Sequence, residues 1–276
     1  MKKGSWVAVA VLAVLVAGAG WYWWQGRTPT PVATRSEAPA PKVADATPPT
    51  PAPAASEPRI RHPIDAAEPE KTPTPLQPEA LLVDLFGRKA VLSMFQLDDF
   101  PRRFVATVDN LGTVRAPSRV WPVVPASGRF TVEPSTGGQA IGVDNAQRYA
   151  SFVGLVDGVD PRRAAQTYRQ LYPLFQQAYA DLGYPNRYFN DRLVDVIDLL
   201  LATPDLDAPP KVHLPPINGP VRPERPWVLY EFDDPALDRL ASGQKMLLRM
   251  GSAAERRMKA KLVEFRRLVT AKGASR

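Results

Sequence analysis

The stretch Asp160–Pro185, DPRRAAQTYRQLYPLFQQAYADLGYP, decides the fold class. Tyr168, Tyr172, Phe175, Tyr179 and Leu182 succeed one another at spacings of four, three, four and three, which lines them along one face of an α-helix. Asp160 is a good N-cap, and Pro161 is the first-turn proline that helix starts favour. Gly183-Tyr184-Pro185 stops the run, and Pro173 inside it predicts a kink or two abutting helices. A stripe of this length needs helical partners. The next segment, about Asn186 to Thr203, is nearly all apolar from Leu193 to Leu201 and suits a central, buried helix.

On the N-terminal side, Asp144 can cap a helix bearing Tyr149, Phe152, Val153 and Val156. Before it, residues 113–143 break the helical period. Val120–Val124 and Phe130–Glu133 read as short strands, with Gly137-Gly138 as a turn before Ala140–Val143; Pro122 confines the first to an edge or bulge. Earlier still, Ala80–Phe86 is a short helix stopped by Gly87, and Val91, Leu92 and Phe95 mark a second. Asp98 or Asp99 caps a third, with Pro101 in its first turn, Phe104, Val105 and Val108 inward, and Gly112 at its end.

On the C-terminal side, residues 204–226 hold eight prolines and read as an extended loop across the domain surface. Trp227–Phe232 is a strand candidate, Asp234-Pro235 starts another helix, and a last helix begins at Ser252. The expected fold is mainly α with a small β element, a globular domain over 78–270 and a tail over 271–276.

The rest of the chain is different in kind. Of 31 prolines among 276 residues, fourteen fall between positions 28 and 79. Residues 25–77 are Pro/Ala-rich, too poor in large apolar side chains to offset ordering entropy, and read as a disordered linker. As extended polyproline, about fifty residues at ~3.1 Å each reach on the order of 150 Å. Pro48–Pro51 and Pro75–Pro78 have P-x-x-P spacing, so a docking peptide for an aromatic groove competes with the plain spacer. Trp6 to Trp24 carries no charge and ends in Trp21-Tyr22-Trp23-Trp24. Its nineteen residues span about 28 Å as a helix, close to the hydrocarbon thickness. Aromatic residues at both ends suit the membrane interfaces, and Lys2 and Lys3 favour a cytoplasmic 1–5. Residues 6–24 therefore read as a signal anchor, single-pass in an inner membrane, with the C-terminal domain periplasmic. Cleavage after Ala17-Gly18-Ala19 is the competing reading, but it leaves an aromatic knot exposed at the new terminus.

Composition excludes some chemistry. With no cysteine there is no disulfide framework, thiol nucleophile or Cys-based zinc site. The net charge of +7 is concentrated in residues 245–276, where ten basic side chains meet two acidic ones. On the last helix, Met258, Leu262, Phe265 and Val269 form an apolar face. Arg256, Arg257, Lys259, Lys261, Arg266 and Arg267 fill the remainder, which is either a solvated face of a docked helix or a surface for an anionic partner such as lipid headgroups, an envelope polymer or an envelope protein. Nucleic acid does not fit that compartment.

Asp191, Asp195 and Asp198 stand at i, i+4 and i+7 on the apolar helix. Three such carboxylates can hold a hard cation or do acid/base work, as a cell-wall hydrolase would require, or they pair with arginines such as Arg148, Arg162 and Arg192. Buried charges must be paired, which favours the second reading. Ser242-Gly243-Gln244-Lys245 matches S-x-x-K, and Tyr188-Phe189-Asn190 offers Y-x-N, but the order is wrong and no Lys-Thr-Gly follows. Ser242 reads better as a cap or a helix junction. His62 falls in the linker and is idle there; His213 has no ligand partner at metal spacing. Neither a cofactor motif nor a catalytic constellation emerges.

Several stretches carry a family resemblance: Asn145–Tyr149, Leu171–Phe175, Leu182–Pro185, Phe189–Arg192, and Ser242–Gly251, SGQKMLLRMG. Over roughly residues 78–268 the chain resembles the bacterial family of domain of unknown function 3014. The resemblance implies a membrane-anchored envelope protein of Gram-negative bacteria, and it brings no catalytic or binding residues with it. The expected function is a non-enzymatic envelope binding or scaffolding module; a hydrolase or an accessory subunit of an envelope complex are the alternatives.

Overall fold

A computed structural model describes residues 60–64, 77–216 and 223–271, all within the unit Ala55–Arg276. The expected anchor at 6–24 and most of the expected linker lie outside the described residues. Three short helices come first: α1 (Pro78–Phe86), α2 (Arg88–Met94) and α3 (Phe100–Leu111). A hairpin of β1 (Val132–Ser135) and β2 (Gly138–Ile141) follows, then α4 (Ala150–Asp157), the long α5 (Pro161–Asp181) and α6 (Phe189–Leu201). β3 (Lys211–His213) and β4 (Glu231–Phe232) precede α7 (Pro235–Asp238), α8 (Ser242–Met250) and α9 (Ser252–Thr270). The fold is mainly helical, with one four-stranded antiparallel sheet in the order β1-β2-β3-β4.

The tyrosine–phenylalanine stripe builds the core. Tyr168, Leu171, Tyr172, Phe175 and Tyr179 are all buried, and α5 lies against α3 and α9. α6 packs on the same two helices through Phe189, Leu193, Val194, Val196, Ile197 and Leu200. Ring centroids of Phe104 and Phe175 are 4.6 Å apart, and those of Tyr168 and Phe265 are 5.8 Å apart, edge to face. A smaller cluster of Ile141, Val212, Phe232 and Leu248 holds the sheet to α8.

Asp160 caps α5 by accepting from the backbone N–H of Arg162 and Arg163. Against expectation, α5 is one unbroken helix through Pro173. An interior proline costs about 3 kcal/mol, and buried side chains on both sides of it hold the helix together despite that. The expected strand Val120–Val124 is instead a 3₁₀ turn at Ser118–Val120 and a single bridge between Phe95 and Val123. Gln96 N–H donates to the Pro122 carbonyl and Val124 N–H to the Met94 carbonyl, but Pro122 has no N–H with which to extend the ladder. Trp227–Phe232 likewise shrinks to Glu231–Phe232 behind a 3₁₀ turn at Pro226–Val228. Asp144 does not cap a helix as expected: it lies inside a 3₁₀ stretch, Val143–Tyr149, whose N-cap position is Gly142, and the α-helix begins only at Ala150.

The S-x-x-K segment is a packing junction. Ser242 Oγ donates to the Asn110 carbonyl at 2.8 Å, Ser242 N–H to the Thr113 carbonyl at 2.7 Å, and Lys245 Nζ to the Asp238 carbonyl at 2.8 Å. The serine therefore satisfies the C-terminal end of α3, where helix carbonyls lack intrahelical partners.

Candidate functional site

Three carboxylates spaced over seven helical residues spread along about 10 Å of axis, so they need not converge on one point. In the fold they do not. Asp191 and Asp195 face an open cleft of about 770 Å³, whereas Asp198 turns to Arg266 on α9. Among the described residues no group of three His, Asp or Glu side chains is placed to hold a metal ion.

The cleft lies beside the N-terminal end of α6. One wall carries Asp191 and Asp195; another carries Asp109, Arg192 and Tyr184. Arg192 Nε donates to Asp109 Oδ1 at 2.7 Å and its Nη2 to the Asp109 carbonyl at 2.8 Å, while the Tyr184 hydroxyl reaches Asp109 Oδ2 at 3.4 Å. Arg192 is thus a cleft residue that joins α6 to α3. It does not serve the aspartate stripe. Arg148 is remote from it, donating to Asn145 Oδ1 at 3.0 Å and the Ser127 carbonyl at 3.1 Å. The expected partners Arg148, Arg162 and Arg192 are therefore replaced by two others.

The first is Arg61. Ile60–Ile64, inside the segment expected to be linker, lies along the first turns of α6. Asp191 accepts from the backbone N–H groups of Arg61 (3.0 Å) and His62 (2.7 Å), and Asp195 Oδ2 accepts from Arg61 Nη2 at 2.6 Å. That hydrogen bond, ahead of the burial that opposes it, raises the Arg61 pKa. The expectation that places His62 in a disordered linker is corrected: its backbone N–H donates to Asp191 and its backbone carbonyl accepts from Asn190 Nδ2 at 2.9 Å. Ile64 N–H donates to the Tyr188 hydroxyl at 2.8 Å.

Asn190 is fully buried and sits at the crossing of three elements. Its Nδ2 also donates to the Val269 carbonyl at 3.1 Å, and its Oδ1 accepts from the Tyr168 hydroxyl at 3.1 Å. Burial pushes the Tyr168 and Tyr172 hydroxyls well up from the ordinary tyrosine range, so both stay protonated donors. Sequence reasoning missed Arg61 and Asp109 as site residues, and weighed Tyr188 and Asn190 only as a Y-x-N match. One signal was present: Ile60 and Ile64 are the only isoleucines before Ile141, and they interrupt an otherwise Pro/Ala/Thr/Glu stretch.

The basic face of α9 is mostly spent on the fold. Arg257 pairs with Asp157, Lys259 with Glu255 (2.7 Å) and Asp205 (3.1 Å), and Arg266 with Asp198; Lys261 Nζ donates to the Val159 carbonyl at 3.0 Å. Burial works against the Lys259 charge, but its two carboxylate partners outweigh it and the pKa rises. Arg256 and Arg267 are exposed, and among the described residues neither has a side-chain partner. The apolar face docks as expected, with Val269 buried and Met258, Leu262 and Phe265 on the core.

The Arg266 hydrogen bonds lower the Asp198 pKa, against a smaller opposing effect of burial. A carboxyl with a depressed folded pKa adds stability that is fully present above its unfolded value, about 4, and is lost as pH falls through the folded value. Both side chains are more than a third exposed, so the contribution is screened and stays below about 1 kcal/mol. Asp198→Asn is expected to lower stability slightly at pH 7 and to flatten the acid limb of a urea-midpoint profile below about pH 5. An unchanged acid limb would show that the pair carries no linkage.

A family description reading "Protein of unknown function (DUF3014)" matches residues 100–266, more than half of the chain. No curated protein and no solved structure matches significantly.

Proposed function

The chain belongs to the DUF3014 family, and from that premise we propose that it is a non-enzymatic binding or scaffolding module of the cell envelope. Residues 6–24 tether it to the inner membrane and the folded domain stands in the periplasm. The uncharged Trp6–Trp24 stretch behind Lys2 and Lys3 supports the tether and its orientation. Among the described residues, no helix is long and apolar enough to cross a membrane.

One observation carries the binding reading: the carboxylates that a hydrolase would need are already engaged. Asp191 holds two peptide N–H groups, Asp195 holds the Arg61 guanidinium and Asp198 holds Arg266. General acid/base chemistry needs a carboxyl within reach of substrate and free to exchange a proton. A carboxylate accepting peptide N–H groups is instead arranged to recognise a main chain. The stretch between anchor and domain sets how far from the membrane that recognition happens.

Crosslinking of intact cells followed by pull-down of the chain is expected to recover a defined envelope partner. Removing about half of residues 25–59, with Ile60–Ile64 intact, should reduce that recovery several-fold. Recovery indifferent to the shortening, or release of soluble fragments from cell-wall material by the purified chain but not by its Asp195→Asn variant, would overturn the proposal.

A further inference from the structure

Residues 60–64 are held in an unusual way for a piece of a fold. Their five main-chain bonds all go to side chains of α6 or the residue just before it. Arg61 N–H and His62 N–H donate to the Asp191 carboxylate, the His62 carbonyl accepts from Asn190, and Ile64 N–H donates to the Tyr188 hydroxyl, which in turn donates to the Ile64 carbonyl at 3.5 Å. Among the described residues no main-chain to main-chain bond ties the segment to the domain. Segments that belong to a sheet or helix pair backbone with backbone, whereas a bound extended peptide is read by groups aimed at its N–H and C=O positions and anchored by one or two side chains. Here the anchors are Arg61 on Asp195 and Ile64 packed on the core. Pro63 occupies the one position between the His62 carbonyl and the Ile64 N–H where no donor is called for, and it restricts His62 to extended conformations.

The receiving groups are set in place independently of the segment. Tyr168 fixes the Asn190 amide by donating to its oxygen, which aims the NH₂ group outward at His62 as well as at Val269. Both residues are buried, so the arrangement is rigid. The contacts at the rim are not: the Arg61 and Asp195 side chains are 53% and 45% exposed. An exposed ion pair is weak, which makes the segment releasable. Once it leaves, Asp191, Asp195, the Asn190 amide and the Tyr188 hydroxyl are open toward the cleft.

We infer that the Tyr188–Asp195 end of α6 is a peptide-binding site, that Arg61–Ile64 fills it in cis, and that its ligand class is an extended polypeptide segment of another protein with an arginine at the Arg61 position and a branched apolar residue three positions later. The ligand in cis is tethered by residues 65–76, which gives it an effective concentration in the millimolar range and makes it a latch that an outside peptide must displace. This deepens the binding-module reading and rests on it, but the anchor and the compartment play no part in it. Failure of peptide binding therefore leaves the cell-based shortening result standing, and the reverse also holds.

The test uses the full chain in detergent, with residues 60–64 replaced by Gly-Ser repeats, and a fluorescent peptide of residues 57–67, EPRIRHPIDAA. The altered chain is expected to bind the peptide saturably, with Kd below about 100 µM. The unaltered chain should bind at least ~10-fold more weakly because its site is filled. Adding Asp191→Ala to the altered chain should abolish binding, and an Arg61→Ala peptide should bind about two- to fivefold more weakly. A folded altered chain without saturable binding, or with equal binding of a scrambled peptide, overturns the inference. So does a dimer of the unaltered chain that disappears when residues 60–64 are replaced, since the segment would then come from a second copy. Hydrogen exchange on the unaltered chain needs no variant: protection at the Arg61, His62 and Ile64 amides is expected, and exchange at the free-peptide rate overturns the cis assignment.

Discussion

Asn190→Ala is expected to destabilise the folded chain by about 3 kcal/mol, read as a lowered urea midpoint at unchanged slope. The side chain is fully buried and makes three hydrogen bonds: to the His62 carbonyl (2.9 Å), to the Val269 carbonyl (3.1 Å) and from the Tyr168 hydroxyl (3.1 Å). Alanine removes all three. The His62 carbonyl can turn to water, but the Tyr168 hydroxyl and the Val269 carbonyl are left without partners, and each such orphan costs about 1–3 kcal/mol. Val269 lies in the last turn of α9, where the final carbonyls run out of helical donors; Arg169 serves Leu268 and Asn190 serves Val269. The loss therefore loosens the end of α9 as well as the Arg61–Ile64 segment. Tyr168→Phe, which deletes only one donor, should cost about 1 kcal/mol. An Asn190→Ala midpoint equivalent to less than about 0.5 kcal/mol of loss would mean that the buried junction does not tie these elements together.

Gly243→Val carries the second large expected effect, a loss of about 3 kcal/mol. A Cβ at this position would lie 2.6 Å from Leu200 Cδ2, 3.1 Å from the Leu111 carbonyl oxygen and 3.2 Å from Leu111 Cβ. The Leu200 tip can swing aside, but the Leu111 carbonyl is main chain at the end of α3 and cannot yield without moving that helix. Overpacking of a filled core typically costs about 1–3 kcal/mol, and valine adds two methyl groups beyond the Cβ. Gly243→Ala should lose less, because alanine recovers up to about 1 kcal/mol of helix propensity. Combining Gly243→Val with Leu200→Ala should give a coupling of about 0.5–3 kcal/mol in the favourable direction. Simple additivity of the two losses would show that α8 is not seated on Leu200. Gly243 thus accounts for the middle of the S-x-x-K match. The glycine allows α8 to reach α3 and α6, and the serine in front of it satisfies α3.

Both predictions concern residues whose importance no local pattern announces. The four-three alternation from Tyr168 to Leu182 made α5 legible, and the apolar run from Leu193 to Leu201 did the same for α6, because one helix period repeated over several turns is a strong signal. Short strands were less legible. Val120–Val124 has the composition of a strand, but a ladder needs donors, and Pro122 withholds one where it counts. The aspartate stripe was visible as three carboxylates at helical spacing. Its partners were not, since Arg61 lies 134 positions from Asp195 and Arg266 lies 68 from Asp198. Arg192, a neighbour in sequence, faces Asp109 instead.

Periodicity and composition therefore determined what a local chemical bias can determine: the helical class, the start of α5 at Asp160-Pro161, the burial of α6 and the apolar seam of α9. Tertiary structure alone decided which charge meets which, and that Ile60–Ile64 belongs against α6. Local order follows from torsional preference and burial along a few consecutive residues. Ion pairs and side-chain-to-peptide contacts depend on where distant segments come to rest, and no period in the chain encodes that.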